Sequence, residues 1–91
     1  MKIVLNECFG GFSLSDHAAN VLGVKVYDRS IEVRTDPMLI AMVEMDPEVA
    51  SGEYAELYVG EIPENATDWE ISEYDGIESI TAVVDGKLVH C

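Results

Sequence analysis

Trp69-Glu70-Ile71-Ser72-Glu73-Tyr74-Asp75-Gly76-Ile77-Glu78-Ser79-Ile80-Thr81-Ala82-Val83-Val84-Asp85-Gly86-Lys87-Leu88-Val89 holds two Asp-Gly pairs, each set between runs that alternate apolar and polar residues. Asp-Gly in that setting signals a two-residue hairpin, because both central positions of the favoured turn need positive φ. The stretch predicts a three-stranded antiparallel meander over 69–74, 77–84 and 87–89. Upstream, residues 54–62 alternate well enough for a further strand, closed by Pro63 and followed by a loop over 64–68.

Working outward, Asp36-Pro37 predicts a helix start, with Asp as N-cap and Pro at the first helical position. That helix, over 37–45, would bury Leu39, Ile40 and Val43 between Met38 and Met42 on its flanks. Asp46-Pro47 ends it and opens a further turn up to Gly52. Residues 24–27 and 31–34 alternate around Asp28-Arg29-Ser30 and read as a small hairpin or two extended pieces. Lys2-Ile3-Val4-Leu5-Asn6 reads as a buried opening strand, and Gly10-Gly11 as a turn. Ser13 is the expected N-cap of a helix carrying Asp16 in its first turn and stopped by Gly23. The expected fold is one α+β domain over residues 1–91, an antiparallel sheet of four to five strands with two short helices packed on one face.

The chain has 91 residues, 18 Asp or Glu against 5 Lys or Arg, and a net charge of -13. Its 48% apolar content fits a folded domain rather than an acidic disordered tail. So large a negative charge argues against direct contact with nucleic acid or an anionic membrane. No apolar run approaches the ~20 residues of a membrane span, and the charged opening lacks a signal core, so a cytoplasmic location is expected. Two cysteines, Cys8 and Cys91, agree with a reducing compartment. The charge is polarised: residues 1–35 hold four acids and four bases, while 36–91 hold fourteen acids and Lys87 alone. A negative face that meets a positive partner is one reading, and simple solubility is the other.

The most unusual stretch is Cys8-Phe9-Gly10-Gly11-Phe12-Ser13. A glycine turn between strand and helix can present backbone N–H groups to an anion, and an arginine such as Arg34 could clamp it bidentately. The turn lacks the Gly-Lys-Ser/Thr ending of a phosphate loop and the three glycines of a dinucleotide fingerprint. Packing of Phe9 and Phe12 into the core is the more ordinary reason for such a turn, as an ion pair with a surplus carboxylate is for Arg34. Cys8 with His17 lacks a recognisable third orienting group for nucleophilic catalysis. His17, His90 and Cys91 lack zinc-site spacing, and the acids do not follow the calcium-loop pattern. A non-enzymatic protein with no cofactor and no metal is expected.

Three stretches together resemble a family of small proteins found in phages, prophages and bacterial genomes. They are Met1-Lys2-Ile3-Val4-Leu5-Asn6-x-Cys8-Phe9-Gly10-Gly11-Phe12-Ser13-Leu14-Ser15, Arg34-Thr35-Asp36-Pro37, and Trp69-Glu70-Ile71-Ser72-Glu73-Tyr74-Asp75-Gly76-Ile77-Glu78. The tail 82–91 departs from the family form. The resemblance implies a context, an accessory protein acting by binding inside a bacterial host cell, for instance against antiviral defence. Two functions are compatible with it, the first being the expected one and the second its alternative. In the first, the chain sequesters a small nucleotide-like signal, using Gly10, Gly11, Phe12, Ser13, Arg34, Asp36 and Tyr74. In the second, an acidic surface including Glu70, Glu73, Asp75 and Glu78 imitates nucleic acid and blocks a basic protein such as a nuclease or CRISPR effector. Self-association through a sheet edge is a third, structural expectation.

Overall fold

Both Asp-Gly pairs form their turns in the computed structural model, which describes residues Met1–Cys91. Asp75 and Gly76 have φ of 52° and 88°, and Asp85 and Gly86 have 53° and 77°, as the two-residue turn requires. They connect β3 (Ala66–Tyr74), β4 (Ile77–Val84) and β5 (Lys87–His90) into an antiparallel sheet in that order. The register sets Trp69 opposite Ala82, Ile71 opposite Ile80, and Ala82 opposite Val89. β3 starts inside the expected loop, with an irregularity between Ala66 and Asp68.

The remaining strands do not join that sheet. β1 (Lys2–Asn6) pairs antiparallel with β2 (Leu57–Glu61) in a separate two-stranded sheet, Val4 opposite Val59. The fold is α+β with five strands, divided over two sheets rather than joined in one. β2 is shorter than expected because a turn, Ala55 N–H to Gly52 O at 3.1 Å, occupies the segment before it.

Alternation along β1 explains the layering. Ile3 and Leu5 point into a cluster with Ile62, Ile80 and Ala82, against which Trp69 and Ile71 pack. Val4 points the opposite way, into the larger cluster with Leu14, Leu39, Val43 and Leu57. The two-stranded sheet is therefore a middle layer, covered by helices on one face and by the three-stranded sheet on the other.

Four short helices form instead of two. α1 (Asp16–Leu22) is capped by Ser15, whose Oγ accepts from the Ala18 N–H at 3.0 Å, and not by Ser13. Ser13 and Leu14 are held extended by the chain at 51–52: Gly52 N–H donates to Ser13 O at 3.0 Å, and Leu14 bridges to Ser51. Residues 31–34, expected extended, are the single turn α2 (Ile31–Arg34), with Ser30 Oγ accepting from Val33 N–H. Four alternating residues are too few to separate a strand from one helical turn, and burial of the adjacent Val33 and Arg34 is helical. α3 (Pro37–Met45) matches its expected bounds, with Asp36 accepting from Met38 N–H at 2.8 Å and Leu39 and Val43 buried. α4 (Pro47–Ala50) follows from Asp46-Pro47. No helix is long and apolar enough to cross a membrane.

Candidate functional site

Three stretches distant in sequence, 1–15, 34–37 and 69–78, meet at one buried knot. Arg34 and Glu78 are 3% and 5% exposed and form a bidentate ion pair, Nη1 to Oε1 at 2.8 Å and Nη2 to Oε2 at 2.7 Å. Arg34 also donates through Nε to Arg29 O and through Nη1 to Val4 O, and its guanidinium lies 4.2 Å from the Phe12 ring centre. Glu78 Oε1 accepts from the Asn6 N–H at 2.9 Å. Asn6 Nδ2 donates to Cys8 O and Gly76 O, and its Oδ1 accepts from Glu56 N–H. No buried side-chain polar atom lacks a partner.

The register explains the chemistry of this knot. Glu7 N–H donates to Glu56 O and Ile62 N–H to Met1 O, so the hydrogen-bonded pairs of β1 and β2 are the odd-numbered residues of β1. Val4 and Asn6 therefore direct their main-chain groups away from β2, to the outer edge. Arg34 takes the Val4 carbonyl there and Glu78 takes the Asn6 amide. The ion pair occupies the place of a third strand.

This placement accounts for the expected ligand-binding residues. Arg34 directs its charge inward and has no guanidinium surface for a ligand. Phe12 is buried beneath it, and Asp36 caps α3. The glycine turn packs against protein: a Cβ on Gly76 would lie 2.7 Å from Gly11 N and from Phe9 O, and one on Gly10 would collide with Tyr54 O. Gly10 and Ser13 line a hollow of about 250 Å³ whose charged neighbours are Asp16 and Glu53, both negative. Tyr74 is 76% exposed beside the hairpin turn, away from the hollow that Gly10 and Ser13 line.

The expected acidic set is dispersed too. Glu78 is interior, correcting its assignment to an exposed binding surface. Glu73 accepts from Gly76 N–H at 3.0 Å, which ties it to its own turn. Alternation along β3 places Glu70 and Glu73 on opposite faces.

What the fold does assemble is a groove of about 570 Å³ between β2 and the α3–α4 junction. Its floor includes Val43, Ala55, Leu57 and Val59, and five carboxylates border it: Glu7, Glu44, Asp46, Glu48 and Glu56. Lys2 pairs with Glu44 at 2.7 Å, and this hydrogen bond with its attendant charge raises the lysine pKa above 10.5. The other ion pairs are Met1 N–H3⁺ with Glu61 and Arg34 with Glu78, which leaves Glu7, Asp46, Glu48 and Glu56 without a cation. Tyr58 lines the groove between Leu57 and Val59 but turns its ring to the other face of the sheet, donating to Glu78 O at 2.7 Å. Burial, then the charges of Glu7 and Glu78, push its phenol above 10.0. No cluster of His, Cys, Asp and Glu has metal-site geometry.

The acids of this segment are visible in the sequence, but the groove is not, because it forms only when β2 packs beside the α3–α4 junction. Glu7 reaches it from the N-terminal segment, through the register of β1 on β2. No family model, curated protein or solved structure matches the chain.

Proposed function

We propose that the chain is a non-enzymatic binding protein that engages a basic protein through the groove between β2 and the α3–α4 junction. The observation that carries this reading is a concave apolar floor bordered by four carboxylates with no cation of their own. Clefts lined by one sign of charge concentrate potential and favour partners of the opposite sign. In the phage-type context that the resemblance implies, the partner is a basic host protein such as a nuclease or CRISPR effector, and the acids stand in for phosphates. Sequestration of a nucleotide has less support, because Arg34 is spent on Glu78 and the glycine turn faces Asp16 and Glu53.

The test is binding to a panel of basic nucleic-acid-binding proteins by calorimetry. Affinity should fall at least tenfold between about 50 and 300 mM salt, where screening of exposed charge becomes strong. The triple variant Glu7→Gln, Glu48→Gln, Glu56→Gln should bind weakly, whereas Glu70→Gln with Asp75→Asn should bind as the parent does. Binding indifferent to salt and to the triple variant, or no binding across the panel, refutes the proposal.

A further inference from the structure

We infer that the partner enters this groove as an extended basic segment that pairs its main chain with the outer edge of β2. The inference rests on the basic-partner reading and adds the mode of binding.

The two edges of the middle sheet are treated differently. On β1, the outward carbonyl of Val4 and the outward amide of Asn6 are both taken by the buried Arg34–Glu78 pair. On β2, the register turns the N–H and C=O of Leu57, Val59 and Glu61 outward. Leu57 N–H is satisfied by Ser51 Oγ at 2.9 Å. The Leu57 carbonyl, both main-chain groups of Val59 and the Glu61 amide have no partner in the protein. The unpaired groups of Leu57 and Val59 lie along the wall of the groove, since successive residues Ala55 to Val59 all line it, and the Glu61 amide continues the same edge beyond it.

An exposed strand edge is a template for another strand, and proteins usually blunt one that serves no purpose. Here a ladder of free donors and acceptors adjoins an apolar floor and four unpaired carboxylates. An added strand alternates its side chains, so one set can rest on Val43 and Val59 while the other, if Lys or Arg, reaches the acids. Main-chain pairing supplies affinity, and charge selects basic segments. A second copy of this chain is a poor occupant, because each copy carries a net charge of -13.

The probe is a capped nonapeptide alternating lysine and valine, compared with its fully N-methylated twin of equal charge. Amide hydrogen exchange of the full chain is followed by NMR with each peptide. The unmodified peptide should bind and slow exchange at Val59 and Glu61, and the twin should bind at least tenfold more weakly. Val59→Pro, which removes an edge N–H that makes no bond to β1, should weaken the peptide while leaving the exchange pattern of β4 intact. Should Val59→Pro fail to fold, the exchange readout on the parent protein decides alone. Binding of both peptides within twofold, or unchanged exchange at Val59 and Glu61 while the peptide binds, overturns strand pairing and leaves the basic-partner reading standing. Failure of the peptide together with every basic protein overturns both. Concentration-dependent protection of the Val59 amide in the free protein would assign the edge to a second copy and overturn the inference.

Discussion

Glu78→Ala deletes the acceptor that holds Arg34 and the Asn6 amide at once, and its cost can be worked from the knot. The change leaves a guanidinium that is 3% exposed without its counter-ion, and a main-chain N–H at the sealed edge of β1 without an acceptor. Breaking a buried pair by removing one partner costs about 3–5 kcal/mol, and an orphaned buried amide alone about 1–3 kcal/mol. The two losses overlap, so about 4 kcal/mol is the expected total for the variant. A domain of 91 residues has a stability of about 5–14 kcal/mol at typical values per residue. The variant should therefore lie near its unfolding threshold, with Tm lowered by about 15 °C or more. Urea unfolding of Glu78→Ala, Arg34→Met and Arg34→Met/Glu78→Leu gives the coupling between the two residues. The double variant should be more stable than either single, because it buries no unpaired charge. Arg34 also holds Val4 O and Arg29 O, so the double variant will not regain parental stability. Additive single and double changes, or a single-variant loss below about 1 kcal/mol, would refute the claim that this pair stands in for a strand.

Gly76→Ala should destabilise the protein well beyond Gly86→Ala, although both residues have positive φ, because only at Gly76 would the new Cβ meet the backbone of the glycine turn. Each substitution carries a conformational cost of about 1–2 kcal/mol, so equal melting temperatures would show that the two turns are not docked. Tyr58 should ionise above the ordinary phenol value, seen as a late component in the ultraviolet titration that Tyr58→Phe removes. Its folded pKa is raised, so the associated stability is present below about pH 10 and is lost as pH climbs through the folded value. If the component removed has its midpoint at or below 10.0, the burial argument fails. Raising salt from about 10 mM to 1 M shortens the Debye length from about 30 Å to 3 Å. The molecule measures 40 × 26 × 20 Å, so its acidic half is within mutual range at low salt, and Tm should rise by several degrees. A flat Tm would show that the acids do not crowd one another.

Local chemistry was legible wherever the chain alone decides the conformation. The two Asp-Gly pairs favour positive φ through their own local chemistry, so the two turns and the three-stranded order were legible, while the start of β3 at Ala66, inside the expected loop, was not. Asp36-Pro37 was equally readable, because a carboxylate N-cap and a prearranged φ act within one turn of helix. Residues 31–34 form a helical turn that four residues carry too little period to reveal, and Ser13 stays out of α1 because tertiary pairing with 51–52 holds it.

The α+β class, the turns, the start of the long helix and the uneven charge follow from the chain's local chemistry, since each depends on neighbours a few residues apart. Tertiary structure alone decided that five strands split into two sheets and that Arg34 and Glu78, 44 residues apart, seal the edge of β1. It also decided that Glu7 joins acids from Glu44 to Glu56 around one groove. Composition supplies carboxylates and arginines, but burial and register decide which of them spend their charge inside the protein and which keep it for a partner.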